Sequence, residues 1–263
     1  SERYSFGRSG ALRHVYSSER HYLGTQLVPC TGMFRRRIPQ DGAAPRWAEP
    51  PDDSLLGVNG IIRVTDLVLE GGLDRALRRG AERGEVTRVA RGRYLTASEW
   101  TALDLDSQYR TRIHAFAETT RTPPVFSHWS AAALWGYPII GRWPDAIHVT
   151  VDSSASQHST RGVVRHNAAL RGDIVEHDGL LVTSPLRTIV DLARCAPFAS
   201  GVAASDRALA EPKWHADSTL HVSRDAILER VGQLAGLRGV QRLRSVADFS
   251  DGRSGSPGES FSR

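Results

Sequence analysis

Between Leu73 and Gly84 the apolar positions recur at helical spacing. At the helical rotation of about 100° per residue, Leu73, Ala76, Leu77 and Gly80 fall on one side, and Arg75, Arg78, Arg79 and Glu82 fall opposite. Upstream, Thr65 is placed to cap a short helix through Glu70, and Gly71-Gly72 ends it. Downstream, Val86-Thr87-Arg88-Val89 alternates like a strand. Arg91-Gly92-Arg93 reads as a turn, and Tyr94-Leu95 as the returning strand. Helix, glycine turn, helix and hairpin in that order predict a winged helix-turn-helix over residues 55–100.

From residue 101 the pattern mixes helices and short strands. Helices are expected over 108–119, after Ser127 as far as Gly136, from Ser184-Pro185 to about Arg194, and over 199–210, 224–235 and 238–247. Strands are expected at 147–151 and 162–166. Residues 174–176 and 180–182 flank Asp178-Gly179, a strong hairpin signal. The expected fold class is therefore α+β: an N-terminal winged helix-turn-helix followed by a mixed α/β domain over 101–249. Residues 1–54 lack a sustained period and are expected to be a poorly ordered extension, with a proline-rich linker at 44–51. Residues 250–263 read as a Gly- and Ser-rich flexible tail, or as the start of a further domain.

Composition excludes little and charge adds more. The chain of 263 residues is 40% hydrophobic and 24% charged, which is ordinary for a globular protein. It contains no run of 18 apolar residues, and Ser1-Glu2-Arg3 opens no secretory signal, so a cytoplasmic location is expected. Cys30 and Cys195 alone support neither a disulfide framework nor a metal site. The net charge is +5. Residues 75–93 hold seven arginines (Arg75, Arg78, Arg79, Arg83, Arg88, Arg91, Arg93) and two acids, Glu82 and Glu85, a difference of +5 in that stretch alone. A helix face and hairpin tip so charged suit contact with duplex DNA, the helix in the major groove and the wing on the backbone or minor groove. The competing reading is a solvated face in an arginine-rich proteome.

Catalytic patterns are weaker. Ser127-His128 resembles a serine–histidine pair, but neighbours on a helix do not face each other. Ser127 therefore reads as a helix cap and no catalytic residue is expected. The ten histidines are scattered, with no His-Glu-x-x-His and no Cys/His ladder, so no metal is expected. No Walker loop or dinucleotide fingerprint occurs, so no cofactor is expected either. Arg187 and Asp191 read as an i,i+4 surface pair of small value.

Three segments carry a family resemblance. The first is Gly72-Leu73-Asp74-Arg75-Ala76-Leu77-Arg78-Arg79, running on to Val89-Ala90-Arg91-Gly92-Arg93-Tyr94. The second is Phe126-Ser127-His128-Trp129-Ser130-Ala131-Ala132-Ala133-Leu134-Trp135-Gly136. The third is Val182-Thr183-Ser184-Pro185-Leu186-Arg187-Thr188-Ile189-Val190-Asp191-Leu192-Ala193. Together they resemble actinobacterial AbiEi-type antitoxins of type IV toxin–antitoxin systems, over roughly residues 55–250.

The resemblance implies a winged helix that binds the protein's own promoter DNA and a following domain that supports neutralisation of a nucleotidyltransferase-like toxin on a separate chain. It also implies that relatives continue into a Vsr-like PD-(D/E)xK endonuclease domain. Residues 256–263 resemble the opening of such a domain, with Glu259 matching one acidic position. Its later metal-binding residues lie outside this sequence, so no nuclease activity is expected. Three functions stay open: a DNA-binding antitoxin-like regulator, the truncated DNA-targeting part of a Vsr-like endonuclease, and a protein-interaction module without DNA binding.

Overall fold

The computed structural model describes residues 62–63, 73–152, 158–170, 172–210, 221–254 and 258, with the backbone alone at 62–63 and 73–76. The chain divides into units of residues 1–37 and 38–263, and every described residue belongs to the second. The expected helix over 65–70, the N-terminal extension and Glu259 all lie outside the described residues.

The first elements form a three-stranded antiparallel sheet beside one helix. They are β1 (Ile62–Arg63), α1 (Leu73–Glu82), β2 (Val86–Ala90) and β3 (Arg93–Thr96), and the strand order is β1-β3-β2. Helix α1 ends because Gly84 takes φ +74°, a left-handed conformation that costs glycine nothing. There Glu85 N donates to Gly80 O at 2.9 Å and Gly84 N to Ala81 O at 3.2 Å, the paired bonds of a Schellman cap. The β2–β3 hairpin buries both faces. Val86 and Tyr94 pack with Leu77 of α1, while Val89 and Leu95 pack with Ala115. A register irregularity between Arg88 and Ala90 lets Val86 and Val89, three apart, each point into a core.

Two helices follow: α2 (Ala97–Ala102) and α3 (Leu105–Ala117). Helix α2 is absent from the elements expected above, although Thr96-x-x-Glu99 is its signature. Glu99 N donates to Thr96 Oγ1 and Thr96 N to the Glu99 carboxylate, a capping box. Helix α3 serves two cores, with Ala115 against the hairpin and Tyr109 and Ile113 in the larger core.

The rest builds around a five-stranded mixed sheet in the order β6-β5-β4-β8-β7. Its strands are β4 (Val125–Phe126), β5 (Ile147–Val151), β6 (Val163–Asn167), β7 (Ile174–His177) and β8 (Leu180–Thr183). Helix α4 (His128–Leu134) leaves β4, and α5 (Pro185–Cys195) leaves β8. After them come α6 (Phe198–Leu209), α7 (Arg224–Gln233) and α8 (Val240–Phe249). Phe126, Ile147, Val149, Val163 and Val182 project from the sheet into one core with Ile189 and Leu192 of α5, Ile227 of α7 and Leu243 of α8. The Asp178-Gly179 hairpin forms as expected, both residues at positive φ (+49° and +74°) as a type I′ turn requires. Ser184 caps α5 with Pro185 in the first turn, and its Oγ accepts from Arg187 N at 3.3 Å. The mixed α+β class is thus observed.

Candidate functional site

The sequence-predicted arginines occupy different situations. Arg75 lies on α1, within the part described by its backbone alone. Arg78 and Arg79 are exposed on the side of α1 away from buried Leu77 and Gly80. Arg83 forms a two-pronged pair with Glu85, 2.7 and 2.8 Å, which raises the guanidinium pKa and lowers that of the carboxyl. Arg88 is exposed on β2 and donates to Ala90 O at 3.3 Å. Arg91 is exposed at the hairpin tip.

Arg93 differs from its neighbours. Its Nε donates to Glu118 Oε2 at 2.9 Å, and its other nitrogens bond Glu118 O and Gly92 O. Only 12% of its side chain is exposed. It ties the hairpin to the end of α3 and does not extend from the tip. The sequence could not reveal this, because Glu118 lies 25 residues away.

A second assembly sits at the start of α4. Ser127 occupies the cap position, but its side chain makes no cap hydrogen bond. It faces His128 instead, with Oγ 3.0 Å from Nδ1. The rule that helix neighbours diverge fails here because His128 takes φ +52° and leaves the helical path. Both residues are buried.

Nor are the histidines all scattered. His128 stacks on His166 of β6, ring centroids 3.5 Å apart and planes 14° apart. His148 Nδ1 of β5 lies 3.0 Å from His166 Nε2. The trio is not legible in the sequence, because strand register, which puts β5 beside β6, is not readable along one chain. In the structure His148 lies on the face opposite Ile147 and Val149. Among the described residues no group of three His, Cys, Asp or Glu is arranged to hold a metal ion.

Arg187 and Asp191 depart from the sequence expectation too. They are not a surface pair. Asp191 is 4% exposed, and Arg187 Nε donates to its Oδ2 at 2.7 Å. Arg187 also reaches Asp173 at 3.1 Å and Ala169 O at 3.0 Å, and Arg230 of α7 bonds Asp173 at 2.7 Å. This network ties α5, α7 and the segment before β7 together.

The molecule is therefore a mixed α+β protein with an arginine-bearing helix and hairpin attached to a helix-covered sheet. The family model of the AbiEi antitoxin C-terminal domain matches residues 126–249, so the family resemblance is shown for that segment. The match supports a role in a toxin–antitoxin system. No curated protein matches the chain. Among solved structures, the RV2827C protein from Mycobacterium tuberculosis is similar, with 19% identity and a TM-score of 0.43 over 86% of this chain and 81% of that one. Among the described residues no helix is long and apolar enough to cross a membrane.

Proposed function

We propose that this chain is a DNA-binding, antitoxin-like transcriptional regulator of a type IV toxin–antitoxin system. In this reading α1 and the β2–β3 hairpin form the recognition helix and wing of a winged helix-turn-helix over residues 55–100. The antitoxin-like domain follows over 101–249, and residues 250–263 form the tail. The protein's own promoter is the DNA partner, and a nucleotidyltransferase-like toxin on a separate chain is the protein partner. The work is cytoplasmic and non-enzymatic.

The observation that carries the reading is the split character of α1. Leu77 is fully buried against the hairpin, and Arg78 and Arg79 beside it are exposed. A buried anchor fixes the helix, so its guanidinium groups are offered outward on a rigid element. Arg88 and Arg91 continue the positive surface along the hairpin. Arg75 and Arg83 supply flanking charge, Arg83 after exchanging Glu85 for phosphate. Arg93 acts by holding the hairpin.

If Arg78, Arg79, Arg88 and Arg91 each meet a phosphate, counterion release gives a log–log salt slope of about −3.6. Affinity then falls on the order of 100-fold between about 50 and 200 mM salt. Fluorescence anisotropy against the gene's upstream DNA and a scrambled duplex, over a salt series, tests this. Absence of binding by folded protein at the lowest salt removes the DNA reading and leaves the protein-interaction alternative.

A further inference from the structure

The face of the five-stranded sheet away from the main core carries an unusual set of side chains. His148 and Thr150 alternate on β5, and His166 is the register partner of Thr150 on β6, so all three share that face. Ser127 and His128 close over them from the end of β4. Thr150 Oγ1 is buried without a hydrogen-bond partner. Strand β6 lies at the sheet edge and pairs with β5 alone among the named strands. His128 holds a left-handed conformation that a β-carbon-bearing residue adopts at a cost of about 1–2 kcal/mol. That strain persists only while surrounding contacts over-determine it. Among its contacts are the Ser127 hydroxyl, the flat face of His166 and the His148 ring.

The two ring–ring contacts do not accommodate protonation of both partners. Two ring nitrogens 3.0 Å apart share one proton between them. When both carry protons, one N–H faces another. Stacked rings 3.5 Å apart likewise cannot both be charged without repulsion in a buried setting.

The arginines of α5 add to the opposition. Arg187 and Arg194 of α5 act on His128 with the same sign as a protonated ring. Arg165 of β6 points to the opposite face and is occupied with His158 O and the Thr160 hydroxyl. Asp152, one alternation beyond Thr150, is exposed. Glu176 of β7 shares the face but stands three strands from Thr150, about 14 Å at ordinary strand spacing.

We propose that Ser127, His128, His148 and His166 form a proton-operated latch, which holds the first turn of α4 and the edge strand β6 against β5 while the rings are neutral and releases them when the rings take up protons. Burial acts in the same direction on all three rings. It lowers the pKa of His128 well below 6.5, that of His148 to about 4, and that of His166 as well. The neighbouring histidines lower His128 and His148 further.

A histidine whose folded pKa is depressed binds fewer protons folded than released. Its contribution is complete above the unfolded pKa of about 6.5 and is lost as pH falls from there towards 4. His148 alone then raises the opening equilibrium about tenfold between pH 7.5 and 5.5.

The test is amide hydrogen exchange on the full chain at pH 7.5 and 5.5, corrected for intrinsic exchange, with histidine ring resonances followed by NMR. Opening at residues 128–132 and 163–167 is expected to rise at least tenfold, while amides of α6 and α8 change less than threefold. His128 and His148 are expected to titrate well below 6.5, and His166 below it. His128→Asn/His148→Phe/His166→Phe, which removes all three titrating groups and places at 128 a residue that tolerates the left-handed conformation, brings the local rise below threefold. Where that variant does not fold, His166→Phe serves, with the rise cut to less than half. His114, also lowered by burial but outside the latch, provides the control: His114→Asn leaves the local rise unchanged. Equal opening at both pH values, rings titrating near 6.5, or a rise that survives these substitutions would overturn the latch.

Discussion

The arginines before residue 100 and those after it use the same side chain in opposite ways. In the helix-and-hairpin region, Arg78, Arg79, Arg88 and Arg91 are exposed around two small cores. In the segment that matches the antitoxin domain, Arg187 is half-buried and Arg230 reaches inward to Asp173. The contrast follows from size. A small hairpin unit has little interior in which to satisfy a guanidinium, so its charge is held at the surface. A larger helix-covered sheet can surround one with carboxylates and carbonyls, and there the charge becomes part of the scaffold. Arg93 shows that the boundary is not drawn by sequence position, since it sits in the first region and behaves like the second.

Breaking the inward kind has the largest expected effect. Asp191→Asn leaves Arg187 facing one fewer carboxylate in a buried site and is expected to cost about 3 kcal/mol of stability. Urea denaturation measures it, and a loss below about 1 kcal/mol would return the pair to the ordinary surface class. DNA affinity per folded molecule is expected to stay unchanged.

Within the hairpin, Arg93→Ala is expected to cost about 1–2 kcal/mol, because it removes the charge-assisted bond between Arg93 and the partly buried Glu118 carboxylate. Gly84→Ala is expected to cost about 1–2 kcal/mol through backbone strain alone, since a β-carbon there meets open space but φ is +74°. Thermal melting distinguishes the two when combined with DNA binding. The Arg93 change also alters hairpin placement and weakens binding, whereas Gly84→Ala acts on the helix end.

The smallest stability effect is expected for Arg91→Ala, within about 0.5 kcal/mol. In the same variant the salt slope of DNA binding flattens by about one unit. If Arg91→Ala and Arg93→Ala prove alike in both measurements, the division between outward and inward arginines within the hairpin fails.

Elements with a strong local signal were legible in the sequence. The apolar stripe of α1, the Asp178-Gly179 turn and the Ser184-Pro185 start each depend on residues within one turn or one hairpin. The segments quoted from Phe126 and Val182 also sufficed to identify the family of residues 126–249. Helix α2 was equally legible through Thr96 and Glu99, but a helix of six residues carries no period to draw attention to it.

Ser127 marks the limit of local reading. Its position as a helix cap was readable, because Ser at that place is a backbone preference. What its hydroxyl bonds to was not, because His128 leaves the helical path to meet a ring from β6. Sequence by itself determined the types of the longer, strongly patterned elements, the charge excess of residues 75–93 and the side of α1 that carries it. Each of these follows from spacing along the chain. Tertiary structure alone decided that Arg93 grips Glu118, that Arg187 turns inward, and that His128, His148 and His166 meet. Those contacts join positions at least 14 residues apart, apart from the i,i+4 pair of Arg187 with Asp191, and they exist only once strand register and helix packing are set.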